Sequence, residues 1–358
     1  MKVQNLVIGA GASGIVLARR IAEEKNEKVL IIEKRNHIAG DCYDYRDAEG
    51  ILIHKYGPHI FRTNDEKVYH FLSRFTDWFD YQHKVLAYVG GDYYPMPINL
   101  DTVNNFLGTH YNSENVLEYF DRVKKNIPVV RNVKDVIESQ VGTVFYENFF
   151  KNYTQQQWGM APEDLPPEIV ARIPIRSNRD DRYFTVKYQG IPSEGYTAMF
   201  MNMLNHPNIS YMLNTDYFDI SDQIEAEHIY FSGRIDEFYQ YKFGKLPYRC
   251  VHFKFETIDR EQVQPVAVVN YPNENDYTRI TEFKHFMRSN SHKTVISKEY
   301  PSSEGNPSYP IPTAENQALY QKYVSLSAND KVEFIGRLGT YKYYSMDQTI
   351  DAILKMKL

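Results

Sequence analysis

The stretch "RIPIRSNRDDRYF" places Arg172, Arg176, Arg179 and Arg182 within eleven residues, opposed only by Asp180 and Asp181. Arg179 and Arg182 read as a solvated loop with local ion pairs. Arg176 follows a Pro-fixed turn, and the aromatic run nearby is suited to presenting it to a ligand. Further on, "YTRITEFKHF" sets Arg279 beside Tyr277, and "YKYY" supplies Tyr341, Tyr343 and Tyr344. Guanidinium groups bind phosphate oxygens in bidentate, charge-assisted pairs, and phenols add neutral donors, so this set suits a diphosphate. "NYTQQQWG" contributes Trp158 as a platform on which a uracil-like base can stack. Singly, each residue is as readily structural; their recurrence is what points to an anion pocket. "KYGPHIFRTN" sets His59 and Arg62 three positions apart, a fixed charge in a segment otherwise shaped for packing.

Such side chains need a scaffold, and the first sixty residues describe one. Val3 to Ile8 reads as a parallel strand covered on both faces, "GAGASG" follows it, "IVLARRIAEE" has helical spacing, and "KVLIIE" is a second strand. In this βαβ unit Gly9 permits the turn, Gly11 lets backbone approach a pyrophosphate, and Gly14 allows helix to pack on strand. Glu33 ends the second strand 22 residues after Gly11, where a carboxylate can accept ribose hydroxyls. Near the C-terminus "VEFIGRLGTYKYYSMDQTIDAIL" reads as strand, Gly-Arg turn and a helix from about Met346 with Asp347 in its first turn. That helix aims its positive end at whatever lies before it. A chain that opens with a dinucleotide fold and returns to the same sheet resembles flavoproteins of the glutathione-reductase-like class, which favours FAD over NAD.

The chain has 358 residues, 42% of them hydrophobic, enough for two or three layered domains. No run approaches the ~20 apolar residues of a membrane span, and "MKVQNLVIGAG" enters a strand without a signal-peptide pattern, so a cytoplasmic location is expected. A net charge of −5 argues against general nucleic-acid binding while leaving room for a local anion pocket. The 30 tyrosines combine flat apolar faces with hydrogen-bonding tips, as a nucleotide or sugar pocket requires. Cys42 and Cys250 make neither a disulfide framework nor a zinc cluster and read as small buried residues; no metal site is expected.

The fold class is α/β: a Rossmann-like FAD-binding domain with a helical insertion domain and an antiparallel β-sheet domain. The expected divisions are 1–75, 212–245 and 316–358 for the cofactor domain and 98–160 for the helices. The remaining segments, 76–97, 161–211 and 246–315, are expected to form the sheet that meets substrate. "KVLAYVGGDYYPMP" is a hairpin turning at Gly90-Gly91, and "AEHIYFSGRID" is a further strand of the cofactor sheet.

"GAGASG", "YGPHIF", "KNYTQQQWG", "RIPIRSNRDDRYF", "YQGIPSEGYTAMF", "FSGRID", "YTRITEFKH" and "GRLGTYKYYSMDQ" follow the order found in the UDP-galactopyranose mutases, which the chain resembles over nearly its whole length. The resemblance implies that reduced FAD attacks the anomeric carbon of a UDP-sugar through N5 and expels UDP. The adduct then opens through an iminium ion and recloses as a furanose, a covalent catalysis that needs no Ser-His-Asp or paired-carboxylate arrangement. It implies that Arg176, on a mobile loop, and Arg279, fixed, hold the diphosphate and stabilise its departure. Tyr153, Tyr183, Tyr309 and Tyr343 would surround the phosphates, Thr154, Trp158 and Asn270 the nucleotide. His59 would support the reduced flavin, with Gly9, Gly11, Ser13, Gly14, Glu33, Lys34, Gly40, Asp41, Ile60, Arg337, Met346, Asp347 and Gln348 also at the cofactor. An external reductant such as NAD(P)H, a homodimer and a role in cell-surface polysaccharide synthesis are implied in the same way.

Three positions depart from that family's pattern: Asp41 replaces the asparagine of "GGN", Ser345 replaces an acidic or amide residue, and "HIFRT" has Arg62 where "HIFHT" is usual. Arginine is longer than histidine, always charged and offers five donors, so Arg62 can reach a 2-acetamido carbonyl. The expectation is that UDP-N-acetylgalactosamine is accepted beside UDP-galactose; the alternative is that Arg62 meets solvent or flavin and leaves a strict galactose enzyme. Rival readings are an amine oxidase-like flavin oxidoreductase and a non-catalytic UDP-sugar sensor.

Overall fold

A computed structural model describes residues 1–170, 174–273, 275–287, 289–328 and 330–358. Strand β1 (Lys2–Ile8), helix α1 (Ala12–Arg20) and strand β2 (Val29–Ile32) form the expected βαβ unit. β1 and β2 lie at the centre of a five-stranded sheet. Its order is Ile209–Met212, β2, β1, Glu225–Phe231, Val332–Phe334, and every neighbouring pair is parallel. Helices cover such a sheet, and the residues show it: all of β2 is buried, and Ile15, Val16 and Leu17 of α1 have no exposure. Each such side chain contributes roughly 1.5 to 3 kcal/mol through burial. The strand Ile209–Met212 straddles an expected division, with its first three residues in the substrate-side segment and Met212 in the cofactor segment. It forms the edge of the cofactor sheet, and its exposed Ser210, Tyr211 and Met212 carry little of the apolar signal that marks a buried strand.

Two glycines of the opening turn have no substitute. Gly9 sits at φ +105°, and a methyl there would lie 2.0 Å from Ser232 Oγ; a methyl on Gly14 would lie 2.0 Å from the Gly9 carbonyl oxygen. The second contact is backbone against backbone, so helix and strand can meet here only without a side chain.

A second sheet has seven strands in the order Pro307–Pro310, Tyr248–Ile258, Thr294–Ser302, Arg279–Glu282, Val268–Asn270, Val85–Val89, Asp92–Met96. It is not wholly antiparallel: Val268–Asn270 runs parallel to Val85–Val89. Parallel neighbours need a long crossover, and here the intervening chain includes the helices Leu100–Leu107, Ser113–Val123, Val133–Phe145 and Lys151–Trp158. Gly90 and Gly91, both at positive φ, turn the expected hairpin. A small third sheet pairs Phe61–Thr63 and Trp78–Phe79 with Tyr188–Pro192, placing Arg62 opposite Gln189. Cys42 and Cys250 are buried and unbridged, and among the described residues no helix is long and apolar enough to cross a membrane.

Gly14→Ala is expected to lower unfolding stability by about 1 to 3 kcal/mol through overpacking, seen as a lower urea midpoint. An unchanged midpoint would mean that the turn relaxes freely.

Candidate functional site

The turn after β1 opens into a cavity of 420 Å³. It is lined by Gly9, Gly11, Ser13, Glu33 and Lys34 and also by Gly40, Asp41, His59, Arg337 and Met346. Glu33 accepts from the Ala10 and Arg35 backbone N–H groups, both at 2.8 Å, so the acid ending β2 is tied to the glycine turn. Gly14 lies buried beneath the turn, and Ile60 packs against the main core. Asp347 and Gln348 are not among the lining residues. They are occupied at the start of the helix Met346–Leu354: Gln348 Oε1 accepts from the Ser345 backbone N–H at 3.0 Å, and the Ser345 hydroxyl donates to Asp347 Oδ1 at 2.5 Å. Ser345, the unusual residue, is the helix cap.

A second cavity of 530 Å³ adjoins the first, and His59, Asp41 and Arg337 border both. Asp41 Oδ1 accepts from Arg35 at 3.1 Å, while Oδ2 lies 3.4 Å from Arg337. The replacement of asparagine thus puts an anion between two cations. The Nδ1 of His59 lies 2.8 Å from the Gly57 carbonyl and donates to it, which leaves Nε2 as an acceptor. Burial lowers the pKa of His59, with Asp41 opposing in part, so the ring is held towards its neutral form.

Arg279 also lines this cavity. Its strand lies between two others, and the residues directly across from it are Asn270 on one side and Glu299 on the other. Arg279 Nε donates to Asn270 Oδ1 at 3.2 Å, Nη2 donates to Tyr153 Oη at 2.8 Å, and Nη1 lies 3.6 Å from Glu299 Oε2. Burial would favour loss of its proton, but Glu299 and Tyr153 outweigh that and hold it firmly cationic. Burial raises the pKa of Tyr153 despite Arg279 and keeps it a neutral donor. Glu299 Oε1, also buried, has no hydrogen-bond partner, leaving an acceptor beside the cation. Glu299 escaped the sequence reading; the one trace of it was an acid inside the strand "KTVISKEYP".

Tyr309 and Tyr343 border the cavity with Gln157, which donates to Tyr309 Oη. Trp158 does not offer the open stacking face expected of it. It is 4% exposed, edge-on to Tyr309 at 5.2 Å and to Tyr343 at 5.6 Å, and so acts as a buttress for both. Thr154 is buried on the same helix. Arg249, another residue the sequence did not reveal, is buried and donates to the carbonyls of Gln156 and Gln157 at 3.1 and 3.0 Å, fixing the end of that helix.

Arg176 is not brought together with Arg279. Its guanidinium donates to the backbone carbonyls of Asp180, at 2.9 Å, and Arg182, folding back on its own loop. Arg182 pairs with Asp180 inside the loop as expected, whereas Arg179 reaches Asp101 on a distant helix; Arg172 lies outside the described residues. Arg62 has its guanidinium 4.1 Å from the Phe184 ring centre. Phe184 stacks on His83 at 5.8 Å and 26°, and His83 meets Tyr183 edge-on at 5.5 Å. His83, also missed in the sequence, is buried; burial first, then Arg279 and Arg62, lower its pKa to about 3. Among the described residues no His, Cys, Asp and Glu cluster fit for a metal occurs.

Fold and cleft together define a dinucleotide-fold enzyme with a cation-rich, phenol-lined cleft beside its cofactor cavity. A family model described as UDP-galactopyranose mutase matches residues 148–343, and one described as NAD(P)-binding Rossmann-like domain matches 7–75. A probable UDP-galactopyranose mutase of Klebsiella pneumoniae is 39% identical, over 98% of this chain and 92% of that protein. A dTDP-fucopyranose mutase of Escherichia coli is 38% identical, over 96% and 95%. A crystal structure of reduced UDP-galactopyranose mutase superposes with a TM-score of 0.76 at 14% identity, covering 98% of this chain and 94% of that one, and shows the shared fold. The chain belongs to the UDP-galactopyranose mutase family and is an isomerase. Membership implies a flavin, and the first cavity fits one: a glycine turn too tight for side chains, the acid ending β2, and Arg337 with a helix start opposite.

His83 titrates near 6.5 once unfolded but near 3 when folded, so the unfolded chain binds more protons between those values and stability falls as pH falls through them. His83→Asn is expected to flatten that decline by about 1.4 kcal/mol per pH unit, measured by urea unfolding across the window. Equal slopes would show that His83 titrates normally in the fold.

Proposed function

We propose that this chain interconverts the pyranose and furanose forms of UDP-galactose, using FAD in the first cavity and the sugar nucleotide in the second. The observation that carries the reading is Arg279 held by Asn270, Tyr153 and Glu299 from three directions. Reduced flavin, when bound, supplies a nucleophilic nitrogen for the anomeric carbon, with UDP as the leaving group. Arg279 faces the diphosphate already cationic and already oriented, so it stabilises the charge that grows on departure without reorganising. Tyr309 and Tyr343 add phenol donors, braced by Trp158. His59 presents Nε2 at the junction of the cavities. Arg176 joins the site by exchanging the two loop carbonyls for phosphate oxygens, a movement confined to its own side chain and loop.

The sugar is a finer matter, and Arg62 is the residue that bears on it. Its guanidinium lies against Phe184, and a planar fork of five donors is longer and richer in donors than the imidazole usual at this position, so we include UDP-N-acetylgalactosamine as a substrate. A second reading, a dTDP-linked 6-deoxy sugar, draws on the near-equal similarity to the Escherichia coli dTDP-fucopyranose mutase. The proposal extends to a cytoplasmic homodimer that takes electrons from an external reductant such as NAD(P)H and supplies furanose to a cell-surface polysaccharide.

Dithionite-reduced protein incubated with UDP-galactose, UDP-N-acetylgalactosamine and dTDP-fucose, with ring forms separated by chromatography, tests these readings. Conversion of the first two is expected, and conversion of dTDP-fucose alone would favour the second reading. Arg279→Lys is expected to lower turnover by about 100-fold through loss of aimed donors. Arg62→His should depress conversion of the acetamido sugar by about tenfold relative to galactose, the value of one well-placed hydrogen bond; an unchanged ratio sinks the role given to Arg62.

A further inference from the structure

A two-stranded sheet pairs Asp44–Arg46 with Leu52–His54 and sets Asp44 directly across from His54. Opposed residues of such a pair share one face, and both of these side chains are buried. The His54 ring stacks on Phe286 at 5.2 Å and 14° and has Phe283 at 6.0 Å. Its Nδ1 accepts from the His59 backbone N–H at 3.0 Å, so the ring proton sits on Nε2, which is buried and has no hydrogen-bond partner. Burial first, then the charge of His59, lower the His54 pKa to about 3 and keep the Nδ1 lone pair available. An unanswered buried donor weakens a fold, and leucine would fill similar space without one. What histidine adds at this position is the acceptor.

Asp44 secures the other side of His59. Its carboxylate accepts from the Tyr196 N–H at 2.6 Å and the Thr197 N–H at 2.8 Å, where the helix Tyr196–Leu204 begins. The fit is close, since a methyl on Gly195 would lie 2.7 Å from that carboxylate. Tyr196, which has no exposure, donates its hydroxyl to the His59 carbonyl at 3.1 Å. One cross-strand pair therefore governs both backbone groups of His59, its N–H directly through His54 and its C=O through Tyr196.

We infer that His54 and Tyr196 are positioning residues that clamp the His59 peptide at the junction of the two cavities, and that they act on the bound flavin only through His59. The inference rests on the reading of His59 as support for the reduced flavin. With its Nδ1–H given to Gly57, His59 offers Nε2 as an acceptor, and a reduced flavin carries an N–H donor that the oxidised ring lacks. A His59 held in place thus favours the reduced state.

The test is the reduction potential of the flavin in the holoprotein, titrated against a redox dye through the visible absorbance. His54→Leu, which removes the acceptor, is expected to lower the potential by about 30 mV, a tenfold loss of reduced over oxidised flavin for a two-electron couple. His54→Asn, whose side-chain oxygen stands near the place of Nδ1, should restore the wild-type value. Tyr196→Phe removes a single hydroxyl and should shift the potential in the same direction as His54→Leu. In a His59→Ala background His54→Leu should add nothing, because the two changes act through one group. The inference is overturned if His54→Leu and Tyr196→Phe keep the wild-type potential while His59→Ala lowers it, or if His54→Leu lowers it equally with and without the His59 ring. Failure of the underlying reading would look different: His59→Ala itself would leave the potential unchanged, and the inference would fall with it.

Discussion

The placement of Arg279 between two neighbouring strands is the constraint on which the rest of the site depends. A half-buried guanidinium is tolerable only when its hydrogens and charge are answered. Here the answers come from residues directly across each strand pairing, Asn270 and Glu299, and from Tyr153 on a separate helix. Sheet register therefore fixes the cation. A slip of one residue would send it to the opposite face, so the geometry of the cleft and the pairing of the second sheet are a single property.

The two sheets contribute different kinds of precision. The parallel sheet uses backbone: a turn without side chains, a carboxylate answering two N–H groups, a helix start aimed inward. The second sheet and its helical layer use side chains, with phenols and guanidinium braced by the Trp158 indole and by Arg249. Where the two meet, Asp41 stands between Arg35 and Arg337 and tempers a junction that would otherwise carry two uncompensated cations. A chain of net charge −5 can in this way keep a locally positive cleft.

How much of this the sequence discloses depends on the range of the interaction. The βαβ unit, the Gly90-Gly91 hairpin and the returning helix obey rules that span a few residues and can be read directly. The helix start near Met346 also carries a readable signal, since Ser345 three residues before Gln348 is the spacing of a capping box. Glu299, His83 and Arg249 were illegible because each matters only through a partner distant in the chain. The parallel run of Val268–Asn270 beside Val85–Val89 was hidden for the same reason. Trp158 shows the complementary error: an indole suited to stacking can equally serve beneath the rings that line the cleft.

Arg249 has a consequence for how the molecule moves. By gripping the last carbonyls of the helix Lys151–Trp158 from a strand of the second sheet, it joins that helix to the sheet at the point nearest the cleft. Tyr153, Gln157, Trp158 and Tyr309 are then one mechanical body with Arg279. A swing of this helix against the sheet would break both of these bonds, so helix and sheet form one fixed jaw of the cleft.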